Sequence, residues 1–191
     1  MHNQNNESNS FDTIKDQVID LLHSNKQEFI YLTGAAGTGK TTLLEAVKAE
    51  LEKKMIVVAP TGIAALNIGG TTINSGFRIG FDTFPEITKS KDPRFNKLLK
   101  KLELLIIDEV SMVRAPMLDA ISQTLKIHRG NDEPFGGVSV LACGDLFQLP
   151  PVVKEYEEKI IFDKYDSIYF FSAYSFCLLY TSDAADEGLG V

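Results

Sequence analysis

Cysteine is scarce in this 191-residue chain. Cys143 and Cys177 stand far apart and offer neither a disulfide framework nor a metal-ligand spacing, so a reducing, cytoplasmic setting is the expectation. Long apolar runs are absent: Leu104–Ile107 and Val138–Cys143 are far too short to cross a bilayer. Met1–Ser10 lacks the apolar stretch of a secretory signal and reads as a loose, disordered polar tail. Basic residues are outnumbered, 19 against 26 acidic, for a net charge of −7. That balance argues against coating nucleic acid by bulk charge but leaves room for a local groove. No internal repeat is visible. What remains is ordinary: 44% hydrophobic and 24% charged residues, with 14 Gly and 7 Pro. Such a composition excludes collagen-like, mucin-like and wholly disordered chains, and the length suits one domain with a real core.

The pattern along the chain alternates helix with strand. Phe11–Leu22 places Ile14, Val18, Leu21 and Leu22 at helical spacing. Phe29–Leu32 reads as a strand, then comes a glycine-rich loop, then Thr41–Lys53, rich in helix formers. Met55–Ala59, Leu102–Ile107 and Val138–Cys143 are continuous apolar strands, with a helical pattern over Ala115–His128 and a further strand expected at Ile168–Phe171. Continuous apolar strands between helices predict an α/β fold, a parallel sheet covered on both faces. Phe77–Lys101 is less regular and is expected to be an insertion or small subdomain.

Chemistry enters at Gly34–Thr41, GAAGTGKT, which fits G-x-x-x-x-G-K-[ST] between a strand and a helix. Gly34, Gly37 and Gly39 let the backbone turn tightly so that its N–H groups, with those of Thr38 and Thr42, surround phosphates. The following helix adds the positive end of its dipole. Lys40 would reach the β- and γ-phosphates and the Thr41 hydroxyl would ligate Mg²⁺, so a nucleoside triphosphate and Mg²⁺ are the expected ligands.

Two further signals sit at strand ends. In LLIIDEVSM, Leu104–Met112, Asp108 and Glu109 follow a buried strand at the edge where parallel sheets gather ligands. Asp108 would hold Mg²⁺, and Glu109 would orient or deprotonate an attacking water. In GDLFQLPPV, Gly144–Val152, Gln148 lies where it can contact a γ-phosphate, while Asp145 organises the loop and Pro150–Pro151 stiffens it.

These motifs, together with APTGIAALNIGGTTINSGF (Ala59–Phe77) and PFGGVSVLACGDLFQLPPV (Pro134–Val152), resemble the PIF family of superfamily-one 5′-to-3′ DNA helicases. The likeness runs from about Phe11 to Phe176. RecD-like helicases are similar too, but more often carry serine where Pro151 stands. The resemblance implies a RecA-like first motor domain, a parallel-sheet P-loop NTPase in three α/β/α layers, that shares its ATP cleft with a second such domain. It implies the roles already given to Lys40, Thr41, Asp108, Glu109 and Gln148. It also implies an adenine-reading role for Gln17, for which a solvated helix position is the other reading. Thr61, Gly62 and Thr71–Phe77 resemble the family's single-strand-binding motif, where amides and hydroxyls hold phosphates. Asn74 stands where the family usually has histidine. Phe77 would either stack a base or pack in the core. Lys89, Lys91, Arg94, Lys97, Lys100 and Lys101 form a basic stretch in the region where the family often holds a strand-separating wedge, with a solvated helix face as the other reading. Single-stranded DNA, duplex junctions and the second RecA-like domain are the partners implied, in the cytoplasm or on the nucleoid, with no membrane.

Cys177–Glu187, CLLYTSDAADE, resembles the translation of a transposase adapter used in sequencing libraries. Residues 177–191 are therefore expected to take no part in the fold. The parent protein would then be a two-motor ATP-dependent helicase of which this is the first part. The alternative is a stand-alone nucleotide-dependent binding module that does not translocate.

Overall fold

A strand covered on both faces is apolar through its middle, and the four central strands obey this, with polar Thr33 and Ser139 only at strand ends. The structure, a computed structural model, describes residues 4–24, 28–35, 37–175 and 177–180. In chain order its elements are α1 (Gln4–His23), β1 (Phe29–Thr33), α2 (Lys40–Glu50), β2 (Met55–Ala59), α3 (Gly62–Asn67), β3 (Thr71–Thr72) and α4 (Ile73–Phe77). There follow α5 (Pro93–Lys100), β4 (Leu104–Ile107), α6 (Ala115–Arg129), β5 (Ser139–Gly144), α7 (Glu155–Tyr165) and β6 (Cys177–Tyr180). The six strands form one all-parallel sheet in the order β3-β2-β4-β5-β1-β6, the α/β architecture expected.

Alternation along each strand feeds two cores. Ile30, Leu32, Leu104, Ile106, Leu141 and Cys143 point to one face, where α1 supplies Val18, Ile19 and Leu22 and α2 supplies Leu43, Leu44 and Val47. Phe29, Tyr31, Leu105, Ile107, Val140 and Ala142 point to the other, against Phe77, Phe95, Leu99 and the apolar face of α6. Period-two side chains on a strand with two buried faces require this arrangement. Truncating any of these buried leucines to alanine is worth about 2–5 kcal/mol.

The structure corrects four expectations. α1 begins at Gln4, within the stretch expected as a disordered tail, because a helix once nucleated adds one hydrogen bond per residue. Ile168–Phe171 is not a strand: Tyr169 makes one isolated antiparallel bridge to Arg114, and the chain then coils into a short 3₁₀ turn over Phe170–Ser172. Phe170 is buried there against Tyr31, ring centroids 5.0 Å apart, so its apolar signal marks a plug beneath the sheet. The stretch 77–101 is not a separate subdomain, since Phe77, Ile79, Phe95 and Leu99 belong to the same core as the central strands. Arg129 fastens it further, donating to the carbonyls of Leu99 (2.9 Å), Lys100 (3.1 Å) and Leu102 (2.8 Å) at the end of α5 and just past it. Finally, Cys177–Tyr180 pairs in parallel with β1, Ile30 opposite Cys177 and Leu32 opposite Leu179, although the segment was expected to stand outside the fold. β1 would otherwise show a row of unpaired backbone groups, and an apolar segment of this kind fills such an edge. The rest of the adapter-like tail lies outside the described residues.

Candidate functional site

The three motifs meet because their strands are neighbours. β1, β5 and β4 are adjacent, with Thr33 opposite Gly144 and Ile107 opposite Ala142, so Gly34, Asp145 and Asp108 leave the sheet at one edge. That is the carboxyl edge, where parallel sheets collect ligands.

The phosphate loop has the backbone its glycines were expected to allow. Gly37 and Gly39 sit at φ +86° and +78°, and a Cβ on either would meet no neighbour within 4 Å. Glycine is demanded there by conformation alone, not by crowding. Gly39 is the N-cap of α2, whose first turn presents exposed Thr41 and Thr42. Thr38 closes the loop by donating to the Ala35 carbonyl at 2.9 Å. Lys40 folds over it, its ammonium donating to the carbonyls of Gly34 (2.7 Å) and Ala35 (2.6 Å).

Asp108 is buried just past β4, its N–H bound to the Val58 carbonyl and one carboxylate oxygen accepting the Glu109 N–H at 3.0 Å. Burial raises the Asp108 pKa, and the Lys40 charge works against that rise. Glu109 stands in left-handed backbone at φ +51°, which turns it away from the strand line into the site. Burial, and then the neighbouring Asp108 charge, push its pKa upward, while Lys40 opposes them. A carboxyl tuned upward is suited to accepting a proton from water near neutral pH.

Asp145 organises its loop as expected, accepting the Phe147 N–H and the Gln148 side-chain amide, each at 2.9 Å. These bonds, with the Lys40 charge, hold its pKa low. Gln148 itself is exposed at the sheet edge, pinned by that bond and by its backbone N–H donating to the Asp145 carbonyl at 3.1 Å. Gly144 is needed for a different reason from the loop glycines: a Cβ there would come within 3.0 Å of the Ser111 N–H. The loop after β5 and the turn after β4 are thus packed backbone to backbone. Gln17 lies on the exposed face of α1, the helix that packs on α2.

The expected single-strand segment divides into structural and available groups. Thr61 caps α3, accepting the Ala64 N–H at 3.2 Å, with Gly62 exposed beside it. Thr71 and Thr72 form the short edge strand β3 beside Val58 and Ala59, and Thr72 caps α4. Asn74 does not present its amide as a donor to a ligand: Nδ2 is spent on the carbonyls of Ile79 (3.1 Å) and Gly80 (3.0 Å), bracing the turn after α4. Phe77 is buried at 2% exposure, so base stacking is excluded and the core reading stands. Ile73 and Phe77 are four apart on α4 and face the core together.

The aromatic that sequence reasoning missed is Phe81. It is 85% exposed and lines a cavity of about 430 Å³ with Pro60, Thr61 and Asn74. No spacing marks it, because it sits in irregular chain where periodicity carries no information. The same cavity is bounded by Arg114 and Glu157, an ion pair at 3.4 Å. Glu157 also accepts the Lys154 N–H and a hydrogen bond from the Thr83 hydroxyl, so it ties the loop before α5 to α7. The Thr83 bond first, then the Lys154 N–H and Arg114, lower its pKa. A depressed carboxyl stabilises the fold above the usual carboxylate range and loses that contribution as pH falls through its folded value. Glu157→Gln is therefore expected to weaken hydrogen-exchange protection near Thr83 at neutral pH and to flatten its loss on acidification. Equal protection in both proteins at pH 7 would contradict this.

The profile of the PIF1-like helicase family matches residues 6–173. The chain belongs to the PIF1-like helicase family. It is 41% identical over 141 residues to the ATP-dependent DNA helicase Pif1 of a Psychrobacter species, covering 70% of this chain and 21% of that protein. It is 36% identical over 156 residues to the ATP-dependent DNA helicase RRM3 of Saccharomyces cerevisiae, covering 77% and 21%. A solved Bacteroides Pif1 helicase in complex with ADP-AlF3 and single-stranded DNA superposes with a TM-score of 0.82 at 41% identity, over 88% of this chain and 41% of that one. This PIF1-like chain thus spans about a fifth of the length of those curated relatives. Among its described residues no helix is long and apolar enough to cross a membrane.

Proposed function

We propose that this chain is the first motor domain of an ATP-driven DNA helicase that tracks 5′-to-3′ along single-stranded DNA and opens duplex junctions. Its setting would be replication, recombination or repair, in the cytoplasm or on the nucleoid. One observation carries the reading: the glycine loop after β1, with Gly37 and Gly39 at positive φ and Lys40 folded over it, leaves the sheet at the same edge as Asp108 and Asp145 from the neighbouring strands. A glycine loop with its lysine, facing the acids that follow two neighbouring strands, is a site built for a polyanion and its counter-cation.

The residues fit both. Thr41 and Asp108 are hard oxygen donors suited to Mg²⁺. Among the described residues no group of three or more metal-ligating side chains gathers, so the cation would complete its shell with phosphate oxygens and water. Bound Mg·ATP would supply the driving free energy. Lys40 would hold the β- and γ-phosphates, Glu109 would draw a proton from water, and Gln148, held by Asp145, would report loss of the γ-phosphate. Gln17 would read the base from α1.

Single-stranded DNA would lie along Thr61, Gly62 and Thr71, with Phe81 in place of Phe77 as the stacking ring. Phe81→Ala is expected to weaken binding of a fluorescent oligothymidine by about 1–3 kcal/mol while leaving stability within roughly 0.5 kcal/mol. Phe77→Ala is expected to do the reverse, costing about 3–5 kcal/mol of stability with unchanged affinity where the protein is folded. Equal DNA affinity for wild type and Phe81→Ala would remove Phe81 from the track. Sequencing the source locus past codon 176 tests the larger claim. A continuing frame with a second RecA-like domain supports the motor; a protein that ends at Val191 supports a binding module.

A further inference from the structure

The basic stretch predicted from sequence has a destination that the motor reading does not use. α5 carries Arg94 and Lys97, with Lys101 directly after it, and Lys54 approaches from the turn before β2. Together they surround a cavity of about 400 Å³ whose floor is Met55, Leu98 and Leu102. Met55 opens β2, and Leu102 lies just before β4, so the cavity is at the amino edge of the sheet, opposite the phosphate loop. It cannot belong to the nucleotide cleft.

Three features set it apart. The chain is acidic overall, yet among the described residues none of these four cations has a carboxylate within ion-pair distance. Of the nearby acids, Asp92 pairs with Arg78 at 2.7 Å, while Glu103, next to Leu102, accepts the Lys54 backbone N–H at 3.1 Å and, among the described residues, forms no ion pair with the four cations. Leu98 keeps half its surface in water at the centre of the cationic ring. On an amphipathic helix whose other apolar residues, Phe95 and Leu99, are buried, that side chain is left without a partner.

We infer that this cavity is a docking site for an acidic peptide segment of a partner protein, one that inserts an aromatic or aliphatic side chain between flanking carboxylates. Charge complementarity selects the acidic flanks, and the apolar floor selects the anchor. A nucleic-acid backbone would use the cations but leave Met55, Leu98 and Leu102 facing polar sugar and phosphate, whereas a peptide satisfies both. The cavity is large enough for one such side chain and its neighbours.

The test is fluorescence anisotropy of the whole 191-residue chain with a labelled short peptide, a Phe-Leu pair flanked on both sides by glutamates. Saturable binding is expected. Reversing two charges, Arg94→Glu with Lys101→Glu, is expected to weaken it about tenfold or more. Leu98→Ser is expected to weaken it as well, while Lys159→Glu on α7, the same change of charge elsewhere, leaves it unaltered. All four positions are exposed, and a thermal melt of each variant confirms folding; Lys97→Glu replaces either α5 change if a melt is lost. The inference is overturned if no peptide binding is seen, or if a peptide with Ser-Ser in place of Phe-Leu binds equally. It is also overturned if Leu98→Ser has no effect, or if a DNA hairpin rather than the peptide binds through Arg94 and Lys101.

Discussion

In magnesium buffer with single-stranded DNA, the purified chain is expected to hydrolyse ATP on the order of 10³-fold or more slowly than a full-length member of its family measured beside it. The reason lies in where its arginines are. The sequence contains only four, Arg78, Arg94, Arg114 and Arg129. Arg78 is paired with Asp92 and stacked 4.3 Å over the Phe95 ring; Arg114 is paired with Glu157. Arg129 holds backbone carbonyls at 2.6–3.1 Å, and Arg94 is at the opposite edge of the sheet. None is placed to neutralise charge on a transferring γ-phosphoryl group, a contribution worth roughly 10³–10⁵ in rate. Acid–base help from Glu109, worth about 10²–10⁴, acts on the water and does not replace it. Robust DNA-stimulated turnover by the isolated chain would refute both this and the need for a second motor domain. The exposed apolar side chains beside the site, Ile63, Leu66, Phe147, Leu149 and Val152, are the kind of surface such a domain would cover.

Lys40→Ala is expected to weaken ATP binding by roughly 10²-fold or more, read by titration calorimetry or a fluorescent nucleotide. Two losses combine. The triphosphate loses charge-assisted bonds, each worth about 1.5–3 kcal/mol. The nucleotide must then enter beside Asp108, Glu109 and Asp145 without the Lys40 charge that favours the ionised form of each. The fold is expected to be nearly unaffected, because among the described residues the Lys40 ammonium bonds to the loop carbonyls of Gly34 and Ala35 and to no core side chain. An unchanged affinity would show that the glycine-rich loop is not the nucleotide site. The Glu109 carboxyl, raised by burial and by Asp108, is expected to fall toward the usual carboxylate range in Asp108→Asn, with a matching shift in the acid limb of any ATPase profile.

The amino-acid sequence by itself determined the four central strands, the phosphate loop and the acidic pair, because each depends on local chemistry: apolar runs, glycine at positive φ, and acids after a buried strand. It also determined the roles that turn geometry confirms, such as Asp145 organising its loop. The tertiary structure alone decided what a side chain faces. Phe77 and Phe81 are both aromatics near one helix end, yet α4 turns the first into the core and leaves the second in water. Asn74 reads as a donor for DNA until the turn it braces is seen. Ile168–Phe171 is apolar because it plugs the sheet from beneath, and Cys177–Tyr180 becomes a strand because β1 offers it an open edge. α7 escaped notice because its mixed polar face carries little periodicity, and only the Glu157 bonds to Arg114 and Thr83 show why it is there. The basic stretch was visible as charge. That it rings an apolar cavity follows from β2 and β4 bringing Lys54 and Met55 beside α5, a juxtaposition set by strand order, which no local pattern encodes.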